Sequence, residues 1–281
     1  MMQTILSPWA DVFEAFVRSV RKSAILVSPY ITSPPLQKFA SLLDADNQPQ
    51  VTLLTNLDVD SLLQETVDVN AIAQFCREVP TTSVRNLPGL HAKVYVADES
   101  VAIITSGNLT YSSLNRNYEY GIHIDNPTMV RRIARELHDY GCLGASVSLE
   151  ELDNIAESAA TLRAKHSARL NSSRSELKQE FQNQLDSVRG SLLHLREKPG
   201  ESKNAIFGRT LMYLLKNGPL TTQELYPLIQ NIHPDLCDGQ TDIVINGVNF
   251  GRMWKRSVRN AQQGLKSKGL IERVGKQWQL V

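Results

Sequence analysis

Short β-branched apolar runs alternate with segments of helical period over residues 1–145, and this alternation limits the fold more than any other feature of the chain. AILVSPYI at 24–31 is closed by Ser33-Pro34-Pro35, VTLLTNL spans 51–57, and VAIITSGN spans 101–108. Runs this short and this apolar read as strands buried on both faces. HAKVYVAD at 91–98 alternates instead, with Ala92, Val94 and Val96 on one face and Lys93 and Tyr95 on the other. SVRNL at 83–87 and EYGIHID at 119–125 complete the set of strands. Trp9, Val12, Phe13, Phe16, Val17 and Val20 keep helical spacing, and residues 35–43, 60–78 and 127–140 read as further helices. Strands and helices mixed within one domain predict an α/β fold, a mixed sheet covered on both faces.

The pattern changes twice further along. Residues 149–197 contain no proline and one glycine, Gly190. Leu152, Ile155, Ala159 and Leu162 repeat at helical steps, then Leu177, Phe181, Leu185, Val188, Leu192 and Leu195 after a polar break at Asn171-Ser172-Ser173. This predicts a helix pair or short coiled coil, either packed on its own domain or used for dimerisation. Lys198-Pro199-Gly200 reads as a linker. Beyond it, helical runs at 204–217, 221–231 and 250–268 precede GLIERVGKQWQLV, which reads as two short strands turning at Val274-Gly275-Lys276. Thr221 and Thr222 are candidate N-caps, with Glu224 inside the first turn. Three helices followed by a hairpin is the winged-helix order. The expected domains are 1–145, 146–199 and 200–281.

The formal net charge of +1 hides an uneven distribution. Residues 1–145 hold 11 basic and 15 acidic residues, residues 146–199 hold 8 of each, and residues 200–281 hold 11 basic against 6 acidic. Within 252–276 eight cations face one acid, Glu272. Cys76, Cys142 and Cys237 lie far apart, which excludes a disulfide framework and the usual structural zinc pattern. The N-terminus lacks the cationic start and apolar core of a secretion signal, and no run reaches membrane-spanning length. A cytoplasmic protein is the expectation.

The chemistry sits in HAKVYVADESVAIITSGNLT, followed by NRNYE. On a strand His91 and Lys93 share a face. The next strand ends in Thr105-Ser106-Gly107-Asn108, which brings a hydroxyl and an amide to the same mouth, with Gly107 allowing close backbone approach. An imidazole, an ammonium, a hydroxyl and a carboxamide at one point form a cradle for an anion under nucleophilic attack, most simply a phosphoryl group.

These residues resemble the HKD motif of the phospholipase D superfamily, H-x-K-x4-D-x6-G-S-x-N. His91, Lys93, Asp98 and Asn108 match in type and spacing, and Asn117 and Glu119 fit the family's downstream pair. Thr105 stands where the family commonly has glycine. The resemblance covers roughly residues 5–145. It implies a phosphodiesterase that works through a covalent phosphohistidine and uses no metal or other cofactor. It makes His91 the nucleophile and sets Lys93, Ser106 and Asn108 on the phosphoryl oxygens. Glu119 would bond the far ring nitrogen of His91. Asp98 would orient the site or serve structure. The mechanism needs two histidines, and none of His123, His138, His166, His194 and His233 opens a second motif. The resemblance therefore implies a homodimer with a shared site.

In the tail, Arg252, Lys255, Arg256 and Arg259 fall at helical steps, with Lys266, Lys268, Arg273 and Lys276 placed to flank phosphates. Trp254, Trp278, Tyr95, Tyr118 and Tyr120 read as packing residues, and His123-x-Asp125 as a strand histidine, not a metal pair. The tail resembles winged-helix modules of bacterial restriction-type proteins. The leading expectation is a DNA nuclease of restriction or phage defence, with defence-system partner proteins and no membrane contact. A lipid-acting phospholipase or phosphatidyltransferase, and a DNA-binding regulator with an inactive HKD core, are the alternatives.

Overall fold

A computed structural model describes residues 2–43, 48–170, 175–194, 202–237, 242–245 and 248–281. The Asn171-Ser172-Ser173 break, the Lys198-Pro199-Gly200 linker, Leu195 and the side chain of Leu177 lie outside the described residues. The chain divides into two compact units, Met1–Leu192 and Leu193–Val281.

In the first unit the elements run β1 (Met2–Leu6), α1 (Ala10–Ser19), β2 (Ser23–Val27), α2 (Ser33–Leu42), β3 (Gln50–Thr55), α3 (Val59–Leu63), α4 (Val69–Glu78), β4 (Thr82–Asn86), β5 (Val94–Ala97), β6 (Val101–Thr105), α5 (Tyr111–Asn115), β7 (Tyr120–Ile124), α6 (Pro127–Leu143), β8 (Ala145–Val147), α7 (Leu149–Leu170) and α8 (Ser175–His194). The strands form one mixed sheet of eight in the order β1-β7-β6-β5-β2-β3-β4-β8. Pairing is parallel from β2 through β3 to β4 and antiparallel elsewhere. Helices flank the sheet, as the α/β reading expects.

Three local differences from the sequence reading have physical causes. The single helix expected over 60–78 is two. Glu65 takes a left-handed φ of 56°, and Ile31 bridges Val67, which holds the joining segment extended. Each new start has its own cap, Asp58 accepting from Ser61 N and Asp68 from Ala71 N. The sheet also runs past residue 145, because β8 pairs with β4 through Ala145↔Asn86 and Val147↔Val84. Finally, the strand expected at 91–98 is confined to Val94–Ala97, and His91–Lys93 precede it outside any regular element.

The core beneath β5 is aromatic. Trp9 is fully buried and lies 5.7 Å from the Tyr95 ring, with Phe13 and Phe16 packed on the same ring at 6.2 and 6.3 Å. The stripe of α7, Leu152, Ile155, Ala159 and Leu162, is buried against α3 and α4. It is covered within the unit and is not left for a second copy. Lys165–Glu180 at 2.8 Å and His166–Phe181 at 5.3 Å join α7 to α8.

The second unit runs α9 (Lys203–Leu214), a short 3-10 turn (Leu215–Asn217), β9 (Leu220–Thr221), α10 (Thr222–Ile232), β10 (Asp242–Ile245), β11 (Val248–Arg252), α11 (Met253–Ser267), β12 (Ile271–Val274) and β13 (Gln277–Leu280). Strands β12, β13 and β9 form a three-stranded antiparallel sheet. Thr221 and Glu224 close a capping box at the start of α10. Phe207, Leu211, Leu225, Ile229, Val258, Trp254 and Trp278 share one core, so both tryptophans pack as expected.

Candidate active site

Antiparallel pairing sets the place of the site. Val27 pairs with Val94, Val94 with Ile104, and Thr105 with Gly121. The end of β2, the approach to β5, the end of β6 and the approach to β7 therefore meet at one edge of the sheet. His91 and Lys93 precede β5, Ser106–Asn108 follow β6, and Glu119 precedes β7.

Lys93 is 8% exposed, whereas His91 is open to solvent. The ammonium Nζ lies 3.2 Å from Nδ1 and 3.3 Å from Nε2 of His91, and donates to the His91 carbonyl at 2.8 Å. Burial pushes the Lys93 ammonium below its ordinary pKa, and the Glu119 charge offsets part of that shift. The ammonium is therefore lost at a lower pH than from an exposed lysine. If it binds a phosphoryl oxygen, activity falls early on the alkaline side. Lys93→Arg, which cannot lose its charge, should move that fall to higher pH. A pH–rate profile of the two proteins checks this, and identical alkaline limbs would remove Lys93 from the reacting centre.

Asn108 contributes an unpaired carboxamide. Its Oδ1 is enclosed and has no hydrogen-bond partner among the described residues. A buried acceptor left alone costs about 1–3 kcal/mol. With Oδ1 turned inward, Nδ2 is the atom left to meet an anion.

The loop that presents Asn108 is fixed from below. Trp9 Nε1 donates to the Ser113 carbonyl at 2.9 Å, and Tyr95 OH donates to the Gly107 carbonyl at 3.0 Å. A Cβ on Gly107 would stand 2.9 Å from the Trp9 ring. The glycine is thus required by the indole beneath it, whereas the sequence reading assigned it to backbone approach at the mouth.

Glu119 is held on three sides. Its Oε2 accepts from Ser106 Oγ at 2.5 Å, its Oε1 accepts from Asn117 Nδ2 at 3.2 Å, and its backbone N donates to Ser7 Oγ. Its carboxylate is therefore engaged by Ser106 and Asn117, and not by the far ring nitrogen of His91 as the resemblance implies. Ser106 spends its hydroxyl on Glu119, and Tyr120 N donates to the same oxygen at 3.1 Å.

Asp98 stands apart. It lies at the other end of β5, about 16 Å from Lys93 at 3.3 Å per residue. Its carboxylate accepts from three backbone donors of the α1–β2 turn, Arg21 N at 2.8 Å, Lys22 N at 2.7 Å and Ser23 N at 2.8 Å. Of the two roles expected for Asp98, the structural one fits this placement.

Several supporting groups carry no periodic signal in the sequence. Ser7 ties β1 to Glu119, and Ser28 Oγ accepts from Leu109 N at 2.9 Å. Thr105 Oγ1 accepts from Gly107 N at 3.1 Å and donates to the Tyr120 carbonyl at 3.3 Å. The departure of Thr105 from the motif's glycine was the visible trace of that brace. Tyr118 and Tyr120, expected to pack, are 101% and 60% exposed. Among the described residues no group of three or more His, Cys, Asp or Glu could hold a metal ion.

The family described as cardiolipin synthase, PLD-like domain, matches residues 15–140, the span that contains His91, Lys93, Ser106, Asn108 and Glu119. Residues 15–140, a little under half of the chain, are thus similar to a phospholipase D-like domain. In that superfamily this fold acts on phosphodiesters by hydrolysis or transfer. No curated protein matches the chain at a significant level. Among solved structures it is similar to Nuc, a phospholipase D family member from Salmonella typhimurium, at 17% identity and a TM-score of 0.42, over 52% of this chain and 97% of that one. It is also similar to NucT from Helicobacter pylori, at 15% identity and 0.40, over 48% of this chain and 92% of the other. A phosphatidylserine synthase from Haemophilus influenzae aligns at 18% identity and 0.41, over 49% of this chain and 38% of its own length.

The basic residues of the second unit divide into two groups. Lys255 lies over the Tyr226 ring at 4.9 Å and near Trp254 at 5.6 Å, and Arg259 donates to Tyr226 OH at 3.3 Å, so both are tied to α10. Arg256, Lys266, Lys268, Arg273 and Lys276 are exposed, and Arg252 is half-buried. No helix among the described residues is long and apolar enough to cross a membrane.

Proposed function

We propose that the chain is a phosphodiesterase that cleaves DNA through a phosphohistidine on His91, in a site completed by two copies. The observation that carries this reading is the solvent-open imidazole of His91 set against the buried ammonium of Lys93, inside a phospholipase D-like domain. A ring nitrogen of His91 attacks phosphorus and forms a P–N bond. The P–O bond to the leaving strand breaks, and the departing oxygen takes a proton from the imidazole of the second copy. Water then attacks phosphorus, its proton goes to that second imidazole, and the P–N bond breaks. Lys93 and Asn108 hold the non-bridging oxygens on which charge builds. One imidazole must be neutral and the other protonated, so the pH–rate profile is bell-shaped.

The second unit is read as a winged helix that binds the duplex. Supporting this are the order α9, α10, α11, the β9-β13-β12 sheet, and the exposed cations of α11 and the hairpin. Pairing a cutting domain with a DNA-reading one suits a restriction or phage-defence enzyme of the cytoplasm, by analogy of parts.

The full-length protein should cleave DNA in EDTA, leave phosphatidylglycerol vesicles intact and sediment as a dimer. Activity that strictly requires added Mg²⁺, or an active monomer, overturns the mechanism. Vesicle hydrolysis without DNA cleavage moves the substrate to lipid. Replacing Lys266, Lys268, Arg273 and Lys276 by glutamine should flatten the dependence of log affinity on log salt by roughly 0.9 for each phosphate that is no longer neutralised. An unchanged slope removes these cations from DNA binding.

A further inference from the structure

The outward face of α11 carries more than charge. Arg252, Arg256, Asn260, Gln263 and Ser267 follow one another at steps of three or four residues, along the line opposite Trp254, Val258 and Ala261, which are buried. Arg256, Asn260, Gln263 and Ser267 are exposed. The carboxamides of Asn260 and Gln263 make no hydrogen bond among the described residues. Gln262, one residue earlier on the buried side, is satisfied by Thr222 Oγ1 at 3.2 Å. The helix therefore pairs its inner amide and leaves its two outer ones open.

A face that only attracts phosphates needs cations, and Lys266, Lys268, Arg273 and Lys276 supply them nearby. A carboxamide adds no attraction of that kind. It presents a donor and an acceptor side by side, which matches the N6 and N7 edge of adenine, as a guanidinium matches O6 and N7 of guanine. The helix from Met253 to Ser267 contains no Asp or Glu.

A second observation points the same way. Gly264 lies in the last turn of α11 beside this line, and a Cβ there would meet nothing within 4 Å. Packing within the unit does not require it, and glycine weakens a helix. Without a side chain at Gly264 the surface beside Gln263 is low enough for another molecule's backbone to come close.

We infer that α11 reads base edges in the major groove of duplex DNA, with Asn260 and Gln263 as specificity-determining residues for adenine and Arg256 for guanine. This rests on the second unit being a DNA-binding module. The duplex must be B-form, because the major groove of A-form RNA is too narrow for a helix.

The test uses the full-length chain carrying His91→Ala, so that bound DNA stays intact, in selection from a randomised duplex DNA pool at physiological salt. An adenine-containing motif should emerge. Asn260→Ala and Gln263→Ala should each weaken binding to it by roughly tenfold. Affinity for unrelated duplex should change less than about twofold, since neither side chain carries a charge toward the phosphates. Thermal melting confirms that both exposed substitutions leave the fold intact. Duplex binding without any enriched motif, or a motif bound equally by both variants, overturns the inference while leaving the DNA-binding reading standing. Retention of no DNA at low salt overturns that reading as well, and the inference with it.

Discussion

Replacing His91 by alanine should lower phosphodiester hydrolysis at least about 10³-fold, a loss of roughly 4 kcal/mol of barrier reduction, with no change in melting temperature. The side chain is exposed, and among the described residues its ring nitrogens make hydrogen-bond contact only with Lys93 Nζ, at 3.2 and 3.3 Å. Its removal therefore leaves no cavity and orphans no backbone group. The Lys93 ammonium keeps its bond to the residue 91 carbonyl at 2.8 Å, because that bond does not involve the ring. The phosphoryl cradle is thus left in place without its nucleophile, and binding of a non-cleaved phosphodiester should persist. The measurement is kcat on a chromogenic phosphodiester beside a thermal melt. Residual activity within tenfold of the parent would sink the phosphohistidine step.

Asp98→Ala should act in the opposite way, destabilising the protein by about 3 kcal/mol while sparing turnover per folded molecule. Hydrogen bonds to a charged acceptor contribute roughly 1.5–3 kcal/mol each. Asp98 accepts three of them, from Arg21, Lys22 and Ser23. Two of the three are exposed, so water replaces part of what is removed. Alanine also adds strain of its own, because residue 98 has φ 50°, a region that aspartate tolerates better. Asp98→Asn keeps the backbone preference and one acceptor, and should fall between the two. The melt and the specific activity of the folded fraction are read together. A large loss of kcat without loss of stability would return Asp98 to the reaction.

The contrast between these residues marks what a linear motif conveys. His91, Lys93, Asn108 and Glu119 were legible because short strand segments deliver them to one sheet edge, and alternation within a strand can be read by eye. Asp98 carries the same motif, but a strand has two ends, and sequence spacing does not say which end bears the chemistry. Ser7, Ser28 and Thr105 were illegible for a different reason. They act through backbone groups up to about a hundred residues away, and a hydroxyl at a strand end has no periodicity. Buried runs such as VTLLTNL revealed strands β3 and β6 well. Strands β1 and β8 escaped because β1 exposes four of its five residues and β8 has only three. Gly107 was noticed for the right property, freedom from a Cβ, but the neighbour that needs that freedom, Trp9, comes from the far end of the sequence. Tyr118 and Tyr120 had an aromatic character that signalled packing, but Tyr118 precedes β7 and Tyr120 opens it, and both are left in solvent.

The pairing of β1 with β7, Met2↔Ile124 through Leu6↔Tyr120, has a consequence for when this edge of the sheet can form. β1 has no sheet neighbour until residues 120–124 have emerged, so it must wait while more than a hundred residues pass. Only then can Ser7 accept the hydrogen bond of the Glu119 backbone N–H. The edge that carries His91, Lys93 and Asn108 therefore stays open on the β1 side until residue 124 has been made, and β8 and α7 are added to the unit only after that.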